Sequence, residues 1–378
     1  MSPTVADVIS AVECRYPAEQ AEDWDAVGLT VGSATASVNT ILFAVDATYD
    51  VVREAVEVGA NLIIAHHPLL LRGIHAVDVG HPKGRVVAEL LRHDVSLYVA
   101  HTNADLGPNG VVDALAAALG LIGTRPLRPR ASPPLDKIIT FVPPAHVEKV
   151  RDALAAAGAG AIGRYDQCAF TNAGTSTFRP LAGSRPFLGR VNEIQRVDET
   201  RIEMVLARSH REAVVSALLA AHPYETPAYD LLELAAIPSE DTGHGRVGSL
   251  ADELTLRQFA ERITSRLPRT AGGVRVSGDL DRRIFRVAVQ AGAGDDLLDL
   301  GRAAGADVYV TSDLRHHPAS EARDWPDAPA LIDVSHWAAE WTWLPVVQRL
   351  LTEDLAAEGL TVSSVVSSRC TDPWNHLF

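Results

Sequence analysis

The chain has 378 residues, 47% of them hydrophobic and 22% charged, with a formal net charge of -14; that length implies two or three domains, and the acidic balance disfavours nucleic acid as a partner. No run of roughly 18 apolar residues is present to span a bilayer, so an integral membrane protein is excluded. The cysteines Cys14, Cys168 and Cys370 form no CxxC pair, which argues against both a disulfide framework and a thiolate zinc site.

The N-terminal stretch has Asp7 and Glu13 early and lacks a basic leader followed by an apolar run. No secretory signal is visible, and a reducing, cytoplasmic location is expected. TILFAVD (Thr40 to Asp46), NLIIA (Asn61 to Ala65) and SLYVA (Ser96 to Ala100) are continuous apolar runs, which predict strands buried on both faces. Between the first two, YDVVREAVEVGA has helical spacing and a glycine stop at Gly59, completing a βαβ pattern.

Arg125 to Pro134, containing RPLRPR, reads as a solvated linker, as does Pro238 to Gly245. Between them the order KIITFV, a helix from His146 to Ala157, YDQCAFTN with a TSTFRP return, RIEMVLA, a helix from His210 to Ala221 and AYDLLEL predicts a ferredoxin-like βαββαβ unit. After Gly243 the first grammar returns: FRVAVQ, the helix DDLLDLGRAAGA, the strand DVYVTSD and then PALIDVSHWAAEW. The fold class expected is α/β: two βαβ-type halves, 1–130 and 239–378, form one domain interrupted by an α+β insert at 131–238. AVEVGANLIIAHHP and GRAAGADVYVTSDLRHHP share a phrase, which suggests an internal duplication.

Ligands gather at the carboxyl ends of strands in α/β sheets. His66 and His67 follow NLIIA; His101 and Asp105 follow SLYVA; Asp313, His316 and His317 follow VYVTS. After PALID, a helix starting at Ser335 puts His336 and Glu340 on one face. Singly, these residues have ordinary explanations, Asp105 as a turn or cap and His101 and His317 as hydrogen-bonded structural groups. Their convergence is better explained by a shared metal centre, since buried carboxylates and imidazoles are costly to desolvate unpaired.

HHP, HTNAD, TSDLRHH and DVSHWAAE in that order, with WDAVGLTVG and GHGRVGSL, resemble the Nif-three-like family, whose members are often labelled GTP cyclohydrolase I type two homologues. The inserted segment resembles that of longer bacterial members with a PII- or CutA-like insert. The resemblance implies a dinuclear metal site with His66, His67, Asp105, His336 and Glu340 as ligands, Glu340 bridging, and a toroidal homohexamer with the sites facing inward. Ala26, Ser312 and Ser335 depart from the family pattern, a change to loops and substrate contacts rather than to ligands.

Imidazoles and carboxylates without thiolate suit divalent ions such as zinc, iron, manganese, cobalt or nickel, of which the resemblance implies two per chain. Paired ions with open positions favour hydrolysis, and His101, Asp313 and His317 are candidates for proton transfer. One reading is a GTP-cyclohydrolase-like hydrolase of a nucleotide or similar small metabolite. The other is a non-catalytic, metal-binding or regulatory hexamer whose insert recognises partners or effectors. QAGAGDD lacks the Lys-Ser/Thr of a P-loop, so the phosphate-cradling route to nucleotide binding is not available.

Overall fold

A computed structural model describes residues 2–132, 134–163 and 165–378. The chain forms two compact units, one from residues 1–130 and 239–378 and the other from 131–238. The first half of the larger unit contains helix Val5–Arg15, β1 (Gly28–Val31), β2 (Thr40–Ala44), helix Tyr49–Glu57, β3 (Leu62–Ala65), helix Pro82–Arg92 and β4 (Ser96–Val99). Helices Thr102–Leu106 and Val111–Leu119 follow, then β5 (Leu121–Ala131). The smaller unit contains β6 (Leu135–Val142), β7 (Phe170–Phe178), β8 (Gln195–Ala207) and β9 (Tyr229–Glu233).

The second half begins with β10 (Pro238–Thr255), helix Leu256–Arg266, β11 (Arg275–Ser277), β12 (Arg283–Ala293), helix Leu298–Ala303 and β13 (Val308–Ser312). Helix His316–Arg323, β14 (Ala330–Val334), helices His336–Trp341 and Leu344–Ala357, and β15 (Ser363–Val366) complete it. The fold is mixed α/β. Among the described residues, no helix is long and apolar enough to cross a membrane.

The continuous apolar runs form parallel strands as their two-sided burial requires: every residue of β3 and β4 is buried, because helices cover both faces. The two sheets have the orders β1-β4-β3-β2-β15 and β11-β14-β13-β12-β10-β5. Each contains a parallel trio, β4-β3-β2 or β14-β13-β12, flanked by a short antiparallel strand. The halves also exchange their last strands: β15 pairs with β2, and β5 joins the sheet of β12. One apolar core spans both sheets, from Val5 and Ile64 to Val310 and Trp343.

The segments read as linkers are strands. Arg125 to Arg130 lies within β5, and Pro238 to Gly245 lies within β10. Prolines suggested a break, but β5 is the edge of its sheet, where Pro126 and Pro129 need supply no donor to a second neighbour. In the smaller unit, TSTFRP makes no return: β7 runs straight through Ala173 and Gly174, paired with β8 throughout. Its sheet has the order β7-β8-β6-β9, and both helices, Val147–Ala156 and Arg211–Ala221, pack on one face over Ile138, Ile202 and Met204.

A buried ion pair ties the halves of the larger unit. Arg246 of β10 is 2% exposed; its Nε donates to Asp113 Oδ1 at 2.6 Å and its Nη atoms donate to the carbonyls of Asp241, Gly243 and Gly245. Asp113 belongs to helix Val111–Leu119 of the other half. Removing one partner strands the buried charge, so Asp113→Ala should lower unfolding stability by about 3 kcal/mol. The check is the denaturant midpoint; a shift within error would mean that the carbonyls alone satisfy Arg246.

Candidate metal centre

The carboxyl ends of the two parallel trios meet, and each supplies a ligand-type residue. β3 runs into His66 and His67, β4 into His101, β13 into Asp313 and β14 into the helix carrying His336 and Glu340. Ser335 caps that helix, its Oγ accepting from Ala338 N–H at 3.2 Å, and also hydrogen-bonds Asp372. Because the cap fixes where the helix starts, His336 and Glu340 stand one turn apart on one face. Their Nε2 and Oε1 are 2.8 Å apart.

Glu340 is 3% exposed and lies at the centre. Its Oε1 is also 3.6 Å from His66 Nε2, and its Oε2 is 3.0 Å from His67 Nε2. Asp105, one turn after His101, places Oδ1 3.7 Å from His66 Nε2. The nearest strand gives way: Gly292, at φ +70° in β12, has room for no side chain, since a Cβ would lie 2.7 Å from Glu340 Oε1 and 3.3 Å from His336 Nε2.

Each imidazole is held from behind through Nδ1. His66 Nδ1 lies 3.0 Å from Ala100 O, His67 Nδ1 2.8 Å from Asp46, His101 Nδ1 2.8 Å from Asp25 and His336 Nδ1 2.7 Å from Asp313. Holding Nδ1–H in this way directs the Nε2 lone pair inward, the arrangement found behind metal-bound histidines. Two groups of side chains could hold a metal ion: His66, His67 and His101, and His67, His336 and Glu340.

Burial disfavours charge throughout, yet the imidazoles of His67, His336 and His66 keep the Glu340 carboxyl well below the usual range. Against the same burial, Glu340 and Asp46 raise His67 to about 11, and Glu340 and Asp313 raise His336 to about 10. Asp105 moves the other way, pushed up by burial. Hydrogen bonding within the cluster is nevertheless incomplete. His66 Nε2 and Asp105 Oδ1, 3.7 Å apart, are buried without a hydrogen-bond partner. Orphaned polar atoms of this cost, facing one another, are what a shared cation would satisfy.

The expected residues therefore separate. His66, His67, His336 and Glu340 converge, with Asp105 at their edge. His101, read as a proton-transfer group, stands instead among the imidazoles, its ring 5.1 Å from His66 and 5.6 Å from His67. Asp313 backs His336, as a residue behind a ligand would. His317 is not brought to the cluster: it is exposed in the first turn of helix His316–Arg323, its ring packed on His316. The loop Asp313 to Arg315 separates that second His-His-Pro from its strand, whereas His66 follows β3 directly.

Asp25 and Asp46 escaped the sequence reading. Asp46 lies just beyond the buried strand TILFA and obeys the same strand-end rule as the histidines. Asp25 precedes β1 and gave no such signal. Thr371 also hydrogen-bonds Asp46. Beside the cluster lies a cleft of about 710 Å³, walled in part by His67, Arg275, Asp313, His336, Asp372 and Trp374.

The profile of the Duf34/NIF3 (NGG1p interacting factor 3) family matches residues 3–373. The chain is 44% identical over 376 residues to a GTP cyclohydrolase 1 type 2 homolog of Mycobacterium leprae, covering 99% of this chain and 96% of the relative. A Bacillus subtilis protein of the same name is 38% identical over 370 residues, 98% of each chain. Among solved structures, a Bacillus cereus protein related to NIF3 superposes with a TM-score of 0.78 at 38% identity, covering 100% of both chains. A Staphylococcus aureus protein superposes at 0.83 and 29% identity, covering 100% of this chain and 99% of the other.

The space at Gly292 gives a test that spares every candidate ligand. Gly292→Ala should reduce the divalent metal retained after dialysis, measured by elemental analysis, because the added methyl, 2.7 Å from Glu340 Oε1, would push that carboxylate from its place. Undiminished content in a folded variant would show that the cluster is not where metal is held.

Proposed function

This chain belongs to the Duf34/NIF3 family, and from that premise we propose that it is a metal-dependent hydrolase acting on a nucleotide or similar small heterocyclic metabolite. One observation carries the reading: His66 Nε2 and Asp105 Oδ1, buried without a hydrogen-bond partner and 3.7 Å apart, lie beside Glu340 within a ring of imidazoles held from behind. His66, His67, His101, Asp105, His336 and Glu340 would hold two divalent ions, with Glu340 shared. Its two oxygens approach different histidines, Oε1 that of His336 and Oε2 that of His67.

Divalent ions held there would supply Lewis acidity and acidify a water. The chain's own residues supply the rest. Asp25, Asp46 and Asp313 orient His101, His67 and His336, and Asp313, open to the cleft, is the carboxylate placed to take a proton from substrate or water. Trp374, 72% exposed, and Arg275, which is ion-paired with Asp333, line the same cleft, an arrangement that suits a planar ring and an anionic group. The name borne by the relatives, GTP cyclohydrolase 1 type 2 homolog, agrees with such a substrate. A closed homohexamer is part of the same proposal.

Purified protein should retain up to two divalent ions per chain and turn over at least one member of a nucleotide panel, with activity lost on chelation. Glu340→Ala should fold, lose metal and lose turnover by about 10³-fold or more, as removal of a metal-assisted step implies. Full metal content in that variant would remove Glu340 from the ligand set; metal loss without any measurable turnover in the parent would leave a metal-binding protein and end the hydrolase reading. Light scattering should report six chains, and a monomer at micromolar concentration would overturn the hexamer.

A further inference from the structure

The unit 131–238 contains a cavity of about 810 Å³, within the range of small-molecule sites, and none of the proposed metal ligands belongs to it. Its walls come from the end of β6 at Phe141, the end of β7 at Phe178, the loop beyond it through Phe187, Glu199 of β8, and Tyr224. Three rings surround part of the space: Phe178 and Phe187 each lie 6.1 Å from Tyr224, inclined by 52° and 46°. A network fixes Tyr224. Its backbone N–H donates to His222 Nδ1 at 3.1 Å, and His222 Nε2 donates to Phe141 O at 3.0 Å.

The telling group is Glu199. It is 5% exposed, and Tyr224 donates its hydroxyl to Glu199 Oε1 at 2.7 Å. Among the described residues its Oε2 has no hydrogen bond and the carboxylate has no ion-pair partner. The other charged lining groups are Arg179, which is exposed and makes no ion pair with Glu199 among the described residues, and Glu225, which accepts from the Arg185 backbone at 3.1 Å. A carboxylate enclosed this far and served by one neutral donor lacks a counter-charge, and the aromatic faces around it present negative potential as well.

We propose that this cavity binds an organic ammonium ion, a protonated amine with an aromatic or short alkyl body. The nitrogen would pair with Glu199 and the body would lie against Phe178, Phe187 and Tyr224. An anion would meet Glu199 unfavourably, and a neutral apolar guest would leave it unpaired.

The test is titration calorimetry on the full-length protein with phenethylammonium, the isosteric phenethyl alcohol and phenylpropionate. The ammonium should bind about tenfold more tightly than the alcohol, the scale expected of a desolvated charge-assisted contact, and phenylpropionate should not compete. Glu199→Gln should abolish the preference for the cation, and Phe187→Ala should weaken both ammonium and alcohol. Should Glu199→Gln not fold, the parent protein's preference between the two isosteres decides alone. Equal binding of ammonium and alcohol, or an unchanged preference in Glu199→Gln, would overturn the proposal. So would an absence of binding at millimolar ammonium together with dissociation of the oligomer in Phe187→Ser, which would assign the cavity to contacts between copies.

Discussion

Glu340 sets the terms for the larger unit. A carboxylate at 3% exposure forfeits its hydration, a penalty of several kcal/mol that only close, well-aligned partners offset. Its partners cannot come from one segment. His336 lies one helical turn away, but His66 and His67 lie far earlier in the chain and must be delivered by a different sheet. The meeting of two sheets at their strand ends is therefore the structural condition for burying this one group.

The strand order meets that condition. Each parallel trio ends its strands on the same side, so residues just past β3, β4, β13 and β14 share one region without long loops to position them. The exchange of β5 and β15 holds the halves in that relation, since each half completes the other's sheet. Packing at the centre is then limited by backbone as well as side chains. Gly292, with its left-handed φ and the Glu340 carboxylate against its Cα, is a position at which the strand itself makes room.

Much of this was legible from residue pattern. Continuous apolar runs marked the parallel strands, because two-sided burial removes the alternation of a half-exposed strand, and the residues immediately after them marked the cluster. What misled was local chemistry overruled by context. Prolines at Pro126 and Pro129 suggested a linker, yet an edge strand tolerates them. The repeated His-His-Pro suggested that both pairs stand at a strand end, yet a three-residue loop sends His316 and His317 into an exposed helix. Asp25 was not legible at all: its link to His101 joins positions far apart in sequence, and no spacing rule predicts such a pair.

The groups behind the histidines grade the centre in a way the ligand types alone do not. Asp25, Asp46 and Asp313 accept from Nδ1 of His101, His67 and His336, and a carboxylate behind an imidazole raises the basicity of its other nitrogen. His66 has only the Ala100 carbonyl and is the most deeply buried of the four. It is therefore the weakest electron donor and the one most rigidly held. The donors strengthened by carboxylates are His101, His67 and His336, and the last two also line the cleft. His66, held by a backbone carbonyl alone, thus differs from the other three imidazoles in what stands behind it, a difference set by the strand end it follows and not by its residue type.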